Sequence, residues 1–219
     1  MNLVLHFPAR HPKNLHMNFI PDNLYHIYNQ GNNQQNIFFD KDDYLIFLRE
    51  VRKLLLPHCE IVAYCLMPNH FHLMVYTDER VEVLIKQGGL MIDKLTNGMR
   101  KLLSGYARIY NKKYSRTGSL FRQKTKYKLL SEDRILSNHS ISNSDYCCNC
   151  FHYIHQNPWR ANLVNRMEDW DYSSFKDYAG LRNGSLCNKK LAEKYCSYNP
   201  KDFMKESYRD LTDDFDYLH

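Results

Sequence analysis

No stretch of this 219-residue chain approaches the roughly 18 uninterrupted apolar residues of a membrane-spanning helix, so no such helix is expected. The first twenty residues also lack the continuous apolar core of a signal peptide, because Arg10, Lys13, three histidines and two prolines interrupt them. A cytoplasmic protein is the expectation. Glycine and proline are scarce, at 8 and 7 copies, and no repeat, low-complexity tract or Pro/Gly linker divides the chain. Seven scattered cysteines are an odd number and make no secreted disulfide framework. Cys147 and Cys150 form a CxxC, yet a structural zinc needs two further ligands and the surroundings look helical; reduced thiols acting as small buried hydrophobes are expected instead.

Acidic residues are missing where basic ones crowd. From Lys94 to Ser131 there are eleven Lys or Arg and no Asp or Glu, while the rest of the chain holds 19 basic against 24 acidic residues. A cationic block inside an otherwise slightly acidic protein points to a polyanion, since neutralising phosphates releases condensed counterions. An apolar content of 43% with 14% aromatics is that of a folded protein rather than a disordered chain. The length suits one domain with decoration. We expect an irregular arm over residues 1–20, a domain over 21–164, and an extension over 165–219 packed on the core through its aromatics.

Local patterns give the order of elements. Leu24 to Tyr28 is a β-rich run closed by the turn signal Gly31-Asn32-Asn33. Asp40 is placed to cap a helix whose Tyr44, Phe47, Leu48, Val51, Leu54 and Leu55 recur at helical spacing until Pro57 stops it. Two strands follow, Glu60 to Leu66 and His70 to Tyr76, joined across Met67-Pro68-Asn69. A second helix runs from about Leu90 to Asn111, its start left open by Gly88-Gly89. Leu120 to Leu129 then alternates, with Arg122, Lys124, Lys126 and Lys128 on one face and Phe121, Tyr127 and Leu129 on the other, as in a strand with a cationic side. The order β-α-β-β-α-β is the split βαβ of ferredoxin-like α+β folds, an antiparallel sheet with helices on one face.

Two segments carry candidate chemistry. In Met67-Pro68-Asn69-His70-Phe71-His72-Leu73-Met74-Val75 the two histidines share a strand face, while Phe71, Leu73 and Val75 point into the core. Two adjacent imidazoles can share one metal ion, although an isolated His-x-His is a weak signal. The second segment, Phe151-His152-Tyr153-Ile154-His155-Gln156-Asn157-Pro158, reads as a helix from about Asp145 that ends near Asn157, because proline restricts the residue before it. Tyr153 and Asn157 are then four apart, so a phenol and an amide carbonyl approach the same point. Taken alone, a core aromatic followed by a C-cap is the simpler account.

Together these pieces resemble a known family. Tyr25-His26-Ile27-Tyr28-Asn29-Gln30-Gly31-Asn32, Met67 to Val75, Tyr114-Ser115-Arg116-Thr117-Gly118-Ser119-Leu120-Phe121, and Tyr153 to Ala161 (YIHQNPWRA) stand in the order found in single-tyrosine HUH transposases, particularly the REP-associated tyrosine transposases. The resemblance implies a ferredoxin-like domain with the His pair on a central strand and a nucleophile-bearing helix after it. It implies that His70 and His72 hold Mg²⁺ or Mn²⁺, and that Tyr153 attacks single-stranded DNA to leave a 5′-phosphotyrosine and a free 3′-OH. A phenol, with an ordinary pKa of about 10, leaves more readily than an alkoxide, so such a link is reversible. Relatives complete the metal site with a Gln four residues beyond the tyrosine; here that position is Asn157, with Gln156 as the neighbouring alternative. The implied partner is single-stranded DNA carrying palindromic hairpins, held by Arg116, Arg122, Lys124, Lys126 and Lys128. Monomer and homodimer both stay open. So do two other classes: a non-catalytic ferredoxin-like nucleic-acid-binding module, and a metal hydrolase in which Tyr153 is structural. The polar stretch Ser131 to Asp145 is expected to be a mobile connector, and the acidic segment Asp210 to Asp216 to be exposed.

Overall fold

The computed structural model describes residues 17–131, 134–136, 139–141 and 143–211, which leaves most of the expected arm and acidic segment outside. Along the chain run β1 (Asn23–Gln30), α1 (Lys41–Leu54), β2 (Glu60–Met67), β3 (His70–Thr77), a hairpin of β4 (Leu84–Gln87) and β5 (Leu90–Asp93), then α2 (Lys94–Lys113) and β6 (Lys126–Leu129). After them come a hairpin of β7 (Arg134–Leu136) and β8 (His139–Ile141), α3 (Asn143–Arg160), and the short helices α4 (Phe175–Tyr178), α5 (Lys189–Cys196) and α6 (Phe203–Ser207). The main sheet has the order β2-β3-β1-β6 with every pairing antiparallel. This is the order that a β-α-β-β-α-β chain produces when each helix returns across the same face.

One face is covered by α1 and α2. Tyr25 and Ile27 of β1 and Phe71, Leu73 and Val75 of β3 meet Phe47, Val51 and Leu55 from the first helix and Leu95, Met99, Leu102 and Tyr106 from the second. Asp40 caps α1 in a capping box: its side chain accepts from the Asp43 N–H at 3.1 Å while Asp43 Oδ2 accepts from the Asp40 N–H at 3.4 Å and also from Phe39 N–H at 2.8 Å. Lys113, in the last turn of α2, bridges both carboxylates at 2.7–2.8 Å. An acidic α1 start and a basic α2 end each complement their helix dipole, so this contact fixes how the helices pair. At the other end Gly98 lets them close up, since a Cβ there would lie 2.4 Å from Leu54 O.

Three local expectations are corrected. α2 starts at Lys94 rather than Leu90, because Gly88 (φ 56°) and Gly89 (φ 84°) form a two-residue hairpin turn and Leu90–Asp93 pairs with β4. Asp93 then caps the helix by accepting from Thr96 N–H at 2.7 Å. The cationic strand is regular only over Lys126–Leu129. Before it, the Asn29 side chain donates to Arg122 O at 3.2 Å and Thr125 Oγ1 at 3.0 Å, holding an irregular loop where a ladder was expected. Within the polar connector, Arg134–Leu136 and His139–Ile141 are paired strands, backbone order that polarity alone does not reveal.

The opposite sheet face is covered by α3 and the C-terminal elements. Leu24, Val62, Cys65 and Met74 pack against Phe151, Tyr153 and Ile154, with Phe175, Tyr178 and Phe203 behind. The free edge of β2 is occupied too: Leu66 N–H donates to Tyr172 O at 2.9 Å, Tyr64 N–H to Ser174 Oγ at 3.0 Å and Asn188 N–H to Ile61 O at 2.8 Å. Covering that edge removes a template for strand pairing with other chains.

Candidate active site

The site grows from one row of the sheet. Antiparallel register sets Cys65, His72, Tyr28 and Lys126 side by side, with Met67, His70 and Gln30 in the next row and Met74, His26 and Lys128 on the other side. These residues lie on the α3 face, while their neighbours Phe71 and Leu73 point to α1 and α2. His70 and His72 therefore sit together, with ring centroids 4.9 Å apart. His70 Nδ1 lies 2.6 Å from Asn69 Oδ1, and the amide oxygen can only accept, so Nδ1 carries the proton and Nε2 the lone pair. His72 Nδ1 lies 2.9 Å from His26 Nε2. His26 and Tyr28 stack at 4.9 Å, extending the ring ladder along β1. Burial, helped by the charge of Lys128, pushes the pKa of His26 down to about 3, so that ring is neutral.

Tyr153 comes from α3 on the far side of this ladder. Its ring centroid is 5.7 Å from His72 and 6.3 Å from His26, nearly perpendicular to both, and the side chain is 1% exposed. Asn157, one turn on, donates from Nδ2 to Tyr153 O at 2.8 Å, which leaves Oδ1 as its available acceptor. Gln156 is directed elsewhere, donating to Ser207 O and Arg209 O at 2.8 and 2.9 Å. The helix does not end before Pro158: it starts at Asn143 and continues to Arg160, because Trp159 packs on Tyr208 with ring centroids 5.5 Å apart and this outweighs the local preference. Tyr146, two turns earlier, lies under Lys128, whose Nζ is 4.9 Å from its ring centroid.

Above His70 opens a cleft lined by Tyr28, Asn29, Gln30, His70, Arg122, Lys124 and Lys126, with a cavity volume of about 30 Å³, room for a water or a small ion. Lys126 Nζ sits 5.7 Å from the Tyr28 ring centroid. Three of the five cations expected to hold DNA thus gather beside His70. Lys128 faces His26 and Tyr146 instead. Arg116 is elsewhere, donating to Gln35 Oε1 at 2.5 Å and lying 5.5 Å from the Tyr110 ring centroid.

The donor set suits a divalent cation: two side-by-side imidazoles, both with Nδ1 engaged, and an amide oxygen following the tyrosine on α3. Among the described residues no group of three or more His, Cys, Asp or Glu is placed to hold a metal. His26 stands behind His72, its Nε2 engaged with His72 Nδ1. Cys147 and Cys150 are buried free thiols in α3, with pKa values raised by burial.

No protein-family profile matches the chain. A Haemophilus influenzae protein named as a REP-associated tyrosine transposase is 28% identical over 138 residues, which cover 61% of this chain and 69% of that one. In sequence the chain is similar to a REP-associated tyrosine transposase. The solved structure of a REP-associated tyrosine transposase bound to a REP hairpin shares the fold, with a TM-score of 0.53 over 78% of this chain and 94% of that one at 14% identity. Set beside those transposases, the chain has two site residues that local pattern did not single out. His26 and Tyr28 sit in a segment that carries the resemblance, and their alternation in β1 was the available signal for a shared face.

Proposed function

We propose that this chain cleaves and rejoins single-stranded DNA beside hairpins through a metal-assisted 5′-phosphotyrosine intermediate. The observation that carries the reading is the meeting of three features: the Tyr153 ring 5.7 Å from His72, the His70–His72 pair, and a cationic cleft opening on His70. Arg122, Lys124 and Lys126 would hold the strand by its phosphates, and Tyr28 would offer a ring face to a base. His70 and His72, with Asn157 Oδ1, would hold Mg²⁺ or Mn²⁺. Such an ion polarises a phosphate oxygen and stabilises charge that develops during displacement. Tyr153 Oη forms a bond to phosphorus as the P–O3′ bond breaks, and the released 3′-oxygen takes a proton. Attack by a 3′-OH on the same phosphorus reverses the step and expels the phenolate.

Tyr153 is 1% exposed and does not line the cleft, so the reaction requires α3 to expose it; the same burial favours the second reading, a binding module without chemistry. Incubating the protein and Mn²⁺ with an end-labelled hairpin oligonucleotide bearing single-stranded flanks decides between them. A denaturation-resistant protein–DNA adduct on one cleavage product is the expected result. Binding without cleavage would establish the module, and cleavage without adduct a hydrolase.

A further inference from the structure

We propose that His26 is a positioning residue that holds His72 as its Nδ1–H tautomer, making Nε2 the atom His72 presents to a divalent cation. This rests on the reading of His70 and His72 as a metal pair. His26 and His72 are both fully buried, and His26 Nε2 lies 2.9 Å from His72 Nδ1, with ring centroids 5.0 Å apart and planes only 23° apart, as an in-plane N–H···N bond requires. Register alone would not join them: His26 pairs with Met74, so the two imidazoles are diagonal neighbours that lean together. The Tyr28 ring lies against both, with centroids 4.9 Å from His26 and 5.9 Å from His72, and so restrains the His26 ring plane.

The hydrogen bond has two directions. If His72 Nδ1–H donates to His26 Nε2, then His72 Nε2 keeps a lone pair for a cation. If His26 Nε2–H donates, then His72 carries its proton on Nε2 and cannot ligate. In either case His26 Nδ1 stays buried without a hydrogen-bond partner among the described residues. A leucine there would remove this unmatched atom but strip the buried His72 Nδ1 of its partner, so what the imidazole supplies is the bond to His72. His70 has the matching arrangement, with Asn69 Oδ1 accepting at its Nδ1. Each imidazole of the pair thus has an atom able to accept placed at its Nδ1, the arrangement that orients metal-bound histidines.

Two measurements on the full chain test this. In metal-free, ¹⁵N-labelled protein, long-range ¹H–¹⁵N correlations of the His72 ring should show a protonated Nδ1 and an unprotonated Nε2; the opposite tautomer overturns the proposal. Calorimetric Mn²⁺ titration should show His26→Leu weakening binding about 10–100-fold. His26→Gln, whose amide oxygen can accept at the same point, should recover most of it. Unchanged Mn²⁺ affinity in a folded His26→Leu overturns the proposal; if that variant does not fold, the His72 tautomer and the His26→Gln affinity decide. His72→Ala separates the two readings: Mn²⁺ binding that survives it sinks the metal pair itself, while the tautomer measurement still judges the role of His26.

Discussion

The salt dependence of DNA binding tests the cleft quantitatively. Arg122, Lys124 and Lys126 line it and are exposed, and none is in an ion pair among the described residues, so each is available to a phosphate. On single strands each phosphate contact contributes about 0.7 to the slope of log K against log salt. Replacing all three with Ala should therefore flatten the slope by about 2, equivalent to about 18-fold less affinity change between 50 and 200 mM salt. Arg116→Ala should behave differently. Its guanidinium is held by Gln35 and the Tyr110 ring, so its loss should cost about 1–2 kcal/mol of stability and leave the slope unchanged. Fluorescence anisotropy of a labelled hairpin oligonucleotide at four or five salt concentrations measures both slopes. A triple variant with the parent slope, or a slope that Arg116→Ala lowers as much as a cleft substitution does, would refute this placement of the strand.

His70→Ala and His72→Ala should each abolish cleavage while changing DNA affinity less than about threefold, because the cleft cations still hold the phosphates; equal loss of both in a filter-binding and cleavage pair would mark them as DNA contacts. Tyr153→Phe should eliminate the covalent adduct and Tyr146→Phe retain it, and peptide mapping of the adduct to Tyr146 would transfer the nucleophile to the residue under Lys128. Asp43→Ala removes half of the α1 capping box and a buried partner of Lys113 and Tyr114, so urea unfolding should show a loss of about 2–3 kcal/mol; a loss below about 0.5 would show that this corner does not tie the helices. Burial lowers the pKa of His152 to about 4 and that of His155 well below its ordinary value, so only the unfolded chain takes up these protons as pH falls from about 6.5 towards 4. Stability is then full above about pH 6.5 and should fall by up to roughly 2–3 kcal/mol per pH unit for the two together, a slope that His152→Gln should reduce in urea titrations at pH 7, 6 and 5.

What could be read from the chain beforehand follows a physical line between local and distant causes. β2, β3 and α1 were legible because strand alternation, a 3.6-residue period and the Asp40 cap are all set within a few residues. So was the shared face of His70 and His72, which needs nothing but the pleat. The start of α2 was not, since Gly88-Gly89 reads equally as a break or a hairpin turn until β4 and β5 pair. His26 was hidden for a stronger reason: its partner is 46 residues away, and only the β1–β3 register makes them diagonal neighbours.

The same reasoning explains why α3 was read as shorter than it is and why its burial does not show in its own residues. His152, His155 and Gln156 look like the wet side of an amphipathic helix, yet all three are buried. Ser207 Oγ meets His152 Nδ1 at 3.1 Å, Ser174 Oγ meets His155 Nε2 at 2.7 Å, and two backbone carbonyls accept from Gln156. These partners lie 19 to 55 residues downstream, so no window on the helix contains the information. The helix is polar where the C-terminal elements supply hydrogen bonds and aromatic where they supply rings. Those elements thus press α3 onto the sheet, and the burial of Tyr153 is set as much by them as by its own helix.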